Sequence, residues 1–214
     1  YSMWAHQIKT PIAAMKVLAQ AASDTEDARI YELLQDMQAE LFKTEQYVEM
    51  VLTYVRMEDM SGDLMLKEYA LDNLVKQALK KYSRMFVMKK LTVHYEALRV
   101  TVTTDEKWLV FVLEQILSNA LKYTGEGSIS IYMEEDWLVI EDTGIGICSE
   151  DLPRIFEKGF TGYNGRSDKK STGIGLYLCK QIIEKLRCQI RVESKLGKGT
   201  RVLLHLMKEK LPVE

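Results

Sequence analysis

The 214-residue sequence is poor in the features that mark several protein classes. Its three cysteines, Cys148, Cys179 and Cys188, form no CxxC pair. An odd count without paired spacing argues against a disulfide framework and points to reduced thiols of a cytosolic protein. No uncharged apolar run approaches the roughly 18–20 residues of a membrane span; WLVFVLEQIL is short and carries Glu114. A net charge of −2 offers no general attraction to nucleic acid. The phosphate-binding patterns GxGxxG and GKS/T are absent, which excludes Rossmann and P-loop readings. Neither an internal repeat nor a low-complexity segment is present. The chain starts at Tyr1, already inside a helical pattern, so it is expected to be a cytoplasmic piece of something longer.

What is present suits a soluble globular protein: 47% apolar and 28% charged residues, with enough length to bury a core in one or two domains. The charge is uneven. Residues 1–60 hold 5 Lys and Arg against 10 Asp and Glu, whereas the remainder holds 24 against 21 and so suits an anionic ligand mildly. Residues 4–22 place Trp4, Ile8, Pro11, Ile12, Met15, Leu18, Ala19 and Ala22 at the spacing of an amphipathic helix. In the following SDTEDAR, Ser23 and Glu26 match a capping box. Ile30, Leu34, Met37, Leu41, Val48, Val51 and Val55 then repeat the helical spacing to about Glu58. Two long helices joined by a short polar turn make an antiparallel hairpin. Stripes of this length are best buried against a second copy, as a four-helix bundle from two chains; packing on the C-terminal part is the alternative.

DMSGD reads as a linker, which puts domain limits at 1–60 and 61–214. Beyond it strands and helices alternate. LMLKEYAL reads as a strand, and Asp72 as the cap of a helix to about Met88. LTVHYE and RVTVTT read as strands, and Asp105 as the cap of a helix through Lys122. SISIYMEE and WLVIED form a hairpin, a helix follows Gly175, and QIRVES and RVLLHLM close the sheet. The expected class is α+β: a helical hairpin followed by an α/β sandwich of mixed strands with helices on one face.

Three stretches of the second part carry chemistry. In LEQILSNALKYT, Asn119, Lys122 and Tyr123 share a helical face. An Asn amide oxygen can ligate Mg²⁺ and a lysine can meet a phosphate; a solvated helix end is the bland reading. In EDTGIGI, Asp142 ends a strand where a carboxylate can accept from an adenine amino group, and Gly144 and Gly146 let backbone pass close to a ligand. A simple turn is the bland reading. In STGIGLYLCKQIIEKL, Gly173 and Gly175 lead into a helix whose free N–H groups make an anion site. Between the last two lies IFEKGFTGYNGRSDKKS, with Lys158, Arg166, Lys169 and Lys170. Its composition suits a mobile lid over a triphosphate, or a solvated loop.

In this order and spacing the stretches resemble the N, G1, F and G2 boxes of the GHKL (Bergerat-type) ATP-binding superfamily, over about residues 64–207. The resemblance implies Mg²⁺ at Asn119, adenine at Asp142, and phosphates on Gly173 and Gly175. GKGT is similar to the last glycine box and brings Thr200 near adenine. The same boxes add Lys122, Tyr123, Gly144, Gly146, Phe160, Thr172 and Leu176 to the site. One departure stands out. ATPases of the superfamily carry a water-activating Glu four residues before the Asn; here that position is Gln115, which cannot accept the proton. Glu114 points about 100° away round the helix. A site so built is expected to hold ATP and to pass the phosphoryl group to another acceptor.

HQIKTPI resembles the H box of the sensor histidine kinases, which implies that His6 is the phosphoacceptor. On a helical wheel His6 points away from the apolar stripe into solvent, with Thr10, Ala13 and Val17 on its face. Gln7 stands where that family carries an acidic residue; its amide oxygen can hold the imidazole tautomer that leaves Nε2 free to attack. Thr10 matches the position that orients water for dephosphorylating the regulator. Pro11 removes the hydrogen bond to the Gln7 carbonyl and softens the helix beyond His6. AHQIKTPIAA with IFEKGFTGYNGR is most similar to the Gram-positive intramembrane-sensing kinases typified by BceS proteins. That implies a homodimer, a response-regulator receiver domain as partner, an ABC transporter met through membrane helices of a plasma-membrane parent, and antimicrobial-peptide sensing. Two other classes stay open: a non-catalytic nucleotide-gated dimeric module, with Gln7 marking lost kinase activity, and a GHKL ATPase.

Overall fold

The computed structural model describes residues 12–20, 27–57, 62, 64–162 and 172–206. The expectations placed on His6, Gln7, Thr10, Pro11, the Ser23–Glu26 capping box, Arg166, Lys169 and Lys170 lie outside the described residues. The chain divides into two compact units, Tyr1–Met60 and Ser61–Glu214. Among the described residues no helix is long and apolar enough to cross a membrane.

The first unit is helical: α1 (residues 12–20) and α2 (Ala28–Met57). Ahead of α2 the Asp27 carboxylate accepts from the N–H groups of Arg29 (2.9 Å) and Ile30 (3.4 Å), satisfying donors that the first helical turn leaves free. Lys16 joins the helices by an ion pair with Glu45 and by lying 5.5 Å from the Phe42 ring centre. Ile12 and Ala19 are buried together with Leu34, Leu41, Met50 and Met57 of α2. Much of the apolar stripe stays outside: Met15, Leu18, Ile30, Met37 and Val51 are exposed, Leu18 by 68%. Ala13 and Val17, on the face expected to carry His6, are exposed as well.

The second unit contains β1 (Lys67–Ala70), α3 (Leu71–Lys89), β2 (Thr92–Tyr95), β3 (Thr101–Thr104), α4 (Glu106–Tyr123), β4 (Ser128–Glu134), β5 (Trp137–Asp142), α5 (Gly175–Lys185), β6 (Gln189–Lys195) and β7 (Gly199–His205). Five strands form one mixed sheet in the order β2-β4-β5-β7-β6, parallel between β2 and β4 and antiparallel elsewhere. The sequence suggested a single sheet. Instead β1 and β3 pair only with each other, antiparallel. Both are four residues long and run almost directly into α3 and α4, which places them at helix starts.

Helix α4 is the centre of this unit. Trp108 to Leu113 are six consecutive buried residues, so this part of the helix is apolar all round. It packs against α3, α5 and β5. Asp105 caps it as expected, accepting from the Trp108 N–H at 3.3 Å and from the Met65 N–H at 2.9 Å. Asp72 does not cap α3. Ala70 holds the cap position without a side-chain bond, while Asp72 sits in the first turn and serves as a cross-tie. It pairs with Lys76 (2.7 Å), accepts from the Tyr95 hydroxyl (2.5 Å) and accepts from the Leu98 N–H (3.2 Å). These donors, with Lys76 and Tyr95 foremost, hold its carboxyl down from an ordinary 3.8 to about 2. Its burial and this carboxylate push the Tyr95 hydroxyl up.

Candidate functional site

As α4 leaves the apolar centre, its half-buried polar residues fall on one side. Gln115, Ser118, Asn119 and Lys122 recur at three, four and seven residues and so form a single face. Glu114 lies off this face and is held in an ion pair with Lys81 of α3. Gln115 is the group that reaches α5: its Oε1 lies 2.9 Å from where a Cβ on Gly175 would be. From Gln115 to Thr124 along α4 is about 13 Å.

Asp142, singled out in the sequence, is 8% exposed at the close of β5. Its carboxylate accepts from the Gly144 N–H at 2.8 Å. Burial pushes its carboxyl above the ordinary range; the N–H groups of Gly144 and Thr200 and the Thr124 hydroxyl pull the other way, and neighbouring Glu141 adds to the rise. The Thr124 hydroxyl is fully buried, near enough to favour the charged carboxylate yet without a well-aligned hydrogen bond. Gly144 permits this convergence, since a Cβ there would lie 2.4 Å from the Tyr123 carbonyl, 2.8 Å from Asp142 Oδ1 and 2.9 Å from Thr124 Oγ1. Gly146 (φ +68°) has a different reason: its missing Cβ faces the Lys195 carbonyl at 2.1 Å, so this glycine seats the loop on the β6–β7 turn. Thr200 is cross-strand from Asp142 on one side and from Ser194 on the other.

A second group of the residues singled out in the sequence lies at the start of α5. The helix begins at Gly175 with no side-chain cap, and Leu176 is its second residue, so its first N–H groups and dipole suit an anion. Thr172 accepts weakly from the Ile174 N–H at 3.4 Å. Gly173 (φ +65°) lies against Gly159 and Phe160, and its carbonyl accepts from the Gly159 N–H at 2.9 Å. Phe160 lies under the Arg154 guanidinium, 4.4 Å from the ring centre, and Arg154 also clasps Glu157 at 3.0 and 3.1 Å. Lys122 stands 5.1 Å from the Tyr123 ring centre, at the end of α4.

Lys89, from the end of α3, donates to the carbonyls of Leu121 and Thr124 (the latter at 3.2 Å). The Tyr123 carbonyl accepts from the Ile145 N–H at 3.1 Å and that of Ala120 from the Thr124 N–H at 3.0 Å. The open end of α4 is thus tied to α3 and to the Asp142 loop. The sequence singled out neither Lys89, Thr124 nor Ser194. Thr124 had a signal, as the hydroxyl residue ending a run of site positions; Lys89 and Ser194 had none before pairing was known. Among the described residues no three or more His, Cys, Asp or Glu side chains cluster as a metal site.

A family model described as histidine kinase-, DNA gyrase B-, and HSP90-like ATPase matches residues 104–210, and one described as His Kinase A (phospho-acceptor) domain matches residues 2–59. The chain is 32% identical over 211 residues to the sensor histidine kinase YxdK of Bacillus subtilis strain 168, covering 94% of this chain and 62% of that protein. It is also 32% identical over 210 residues to the sensor protein BceS of Halalkalibacterium halodurans strain C-125, covering 96% and 61%. The chain therefore spans about three fifths of the curated relatives it matches. The structure of the Acinetobacter baumannii histidine kinase AdeS shares the fold with a TM-score of 0.57 at 23% identity, over 95% of this chain and 98% of that one. A phospho-acceptor match in front of an ATPase-type match, together with these relatives, shows that the chain belongs to the sensor histidine kinase family.

Proposed function

We propose that residues 1–60 form the dimerising, phospho-accepting part and residues 61–214 the part that binds Mg-ATP and phosphorylates His6. The observation that carries this reading is at Gln115. The polar group beside the uncapped start of α5 is a carboxamide, which takes no proton from water. Glu114, the adjacent carboxylate, is engaged with Lys81. A nucleotide held here lacks the base for hydrolysis and needs a separate nucleophile.

In the proposed reaction Nε2 of His6 attacks the γ-phosphorus; an N–P bond forms, the bond to the β-bridging oxygen breaks, and ADP leaves. Gln7 orients the imidazole by accepting from Nδ1–H. Asp142 holds the adenine amino group, and Gly173, Gly175, Thr172 and Leu176 carry the phosphates on α5. Magnesium at Asn119 would supply charge neutralisation, and Lys122 adds a positive charge near the same face. An Asp of a response-regulator receiver domain then takes the phosphoryl group, docking along Ala13 and Val17. Thr10 orients water for the reverse duty, dephosphorylation of that regulator. A second copy of the chain covers Met15, Leu18, Ile30, Met37 and Val51, whose exposure in a single copy supports dimerisation. The resemblance to the BceS-like kinases implies a plasma-membrane parent that works beside an ABC transporter in sensing antimicrobial peptides.

Incubation with γ-labelled ATP tests the reading. A label that is acid-labile, base-stable and absent from His6→Ala is expected. Steady phosphate release that His6→Ala leaves unchanged would mean an ATPase, and uptake of nucleotide without label would mean a non-catalytic module.

A further inference from the structure

One transverse row of the sheet carries Ser194, Thr200, Asp142 and Ile129 as successive cross-strand neighbours on β6, β7, β5 and β4. Their side chains therefore share a face. Ser194 Oγ has three contacts: it donates to the Gly199 carbonyl at 2.7 Å, accepts from the Ile147 N–H at 2.8 Å, and lies 3.0 Å from Thr200 Oγ1. A serine hydroxyl has one proton and two lone pairs. The Gly199 carbonyl can only accept, so it takes the proton. The Ile147 amide can only donate, so it takes one lone pair. What remains toward Thr200 is a lone pair, and the 3.0 Å contact is a hydrogen bond only when Thr200 is the donor.

We infer that Ser194 is a positioning residue for purine selectivity: it commits the Thr200 proton and leaves Thr200 facing the base as an acceptor only. This rests on the proposed nucleotide site. Asp142, next in the row, is a carboxylate and likewise accepts; the Gly144 and Thr200 N–H groups that could have donated to a ligand are turned onto it. Acceptors facing position 6 match a 6-amino purine, whose amino group donates there, and oppose the accepting oxygen of a 6-oxo purine; the selectivity inferred lies at position 6 and not at N1, where it is the 6-oxo purine that donates. Thr200 is half-buried, so part of it remains open to a ligand.

Affinities of the full chain for Mg-ATP and Mg-ITP, which differ at the 6-position of the base and its adjoining ring nitrogen, test the inference in wild type, Ser194→Ala and Ser194→Thr. Wild type prefers ATP. Ser194→Ala releases the Thr200 proton toward the ligand and narrows the ATP:ITP ratio by roughly three- to tenfold, the value of one hydrogen bond. Ser194→Thr keeps the hydroxyl and retains the ratio. Equal weakening of both nucleotides in Ser194→Ala would show a loop brace only and overturn the inference, as would an unchanged ratio. Wild-type protein that takes up neither nucleotide would overturn the nucleotide site itself.

Discussion

Gly173 and Gly175 are two residues apart in one motif, and alanine at each should move stability in opposite directions. Gly173 sits at φ +65°, and a Cβ there would lie 2.4 Å from the carbonyl carbon of Gly159 and 2.6–2.7 Å from backbone atoms of Phe160. Left-handed backbone costs a non-glycine residue about 1–2 kcal/mol, and none of those contacts can be relieved by rotating a side chain. Gly175 is already helical as the first residue of α5, and its Cβ would meet only Gln115 Oε1 at 2.9 Å, the movable end of a flexible side chain. Alanine gains up to about 1 kcal/mol over glycine in a helix. The two variants should therefore differ by about 2–3 kcal/mol. At about 2–4 °C per kcal/mol for a chain of this size, their melting temperatures should lie roughly 5–10 °C apart, with Gly173→Ala below wild type and Gly175→Ala at or above it. Thermal denaturation followed by circular dichroism, without nucleotide, reads this directly. Adding Mg-ATP should raise the wild-type melting temperature and raise that of Gly175→Ala less, because the new methyl and the displaced Gln115 crowd the start of α5. Equal melting temperatures for the two variants would refute the assignment of different roles to the two glycines.

Acid should weaken the second unit through Asp72. Its folded carboxyl titrates at about 2 against an ordinary 3.8, so the contribution is complete above the unfolded value and is lost as pH falls from about 4 toward 2. Urea unfolding of wild type and Asp72→Asn should thus differ by a constant amount above about pH 5 and converge near pH 2; a gap that persists at pH 2 would contradict the cross-tie. Lys89→Met removes the donor that satisfies the Leu121 and Thr124 carbonyls. It should cost about 1.5–3 kcal/mol, with part regained in Lys89→Arg; a Lys89→Met protein that melts like wild type would show that water replaces the lysine without loss.

Local pattern carried much of the second unit. The Asp105 cap, the span of α4, the β4–β5 hairpin and the helix from Gly175 all depend on residues within a few positions of one another. Such features are readable because capping and periodicity are short-range. The same pattern misplaced Asp72, since a carboxylate near a helix start has two uses and Tyr95, 23 residues on, decided between them. It also merged β1 and β3 into the main sheet, because a four-residue strand does not announce its neighbour.

The site divides along the same line. Asp142, Asn119 and the glycines of both turns stand out from sequence alone, because a polar residue in an apolar run and a glycine beside a helix start both demand explanation. The sequence does not say what each glycine meets. Gly146 serves the Lys195 carbonyl, 49 positions away, and Gly199 (φ +96°) serves the Asp142 carbonyl at 1.9 Å from its absent Cβ. The sequence by itself thus determined which segments are helices and strands and which residues are candidates for chemistry. Only the tertiary structure decided that Ser194, Thr200 and Asp142 stand in one row, that Lys89 closes α4, and that Gln115 reaches Gly175. Those facts follow from strand register and helix packing, where the energy lies in contacts between distant residues that no local preference encodes.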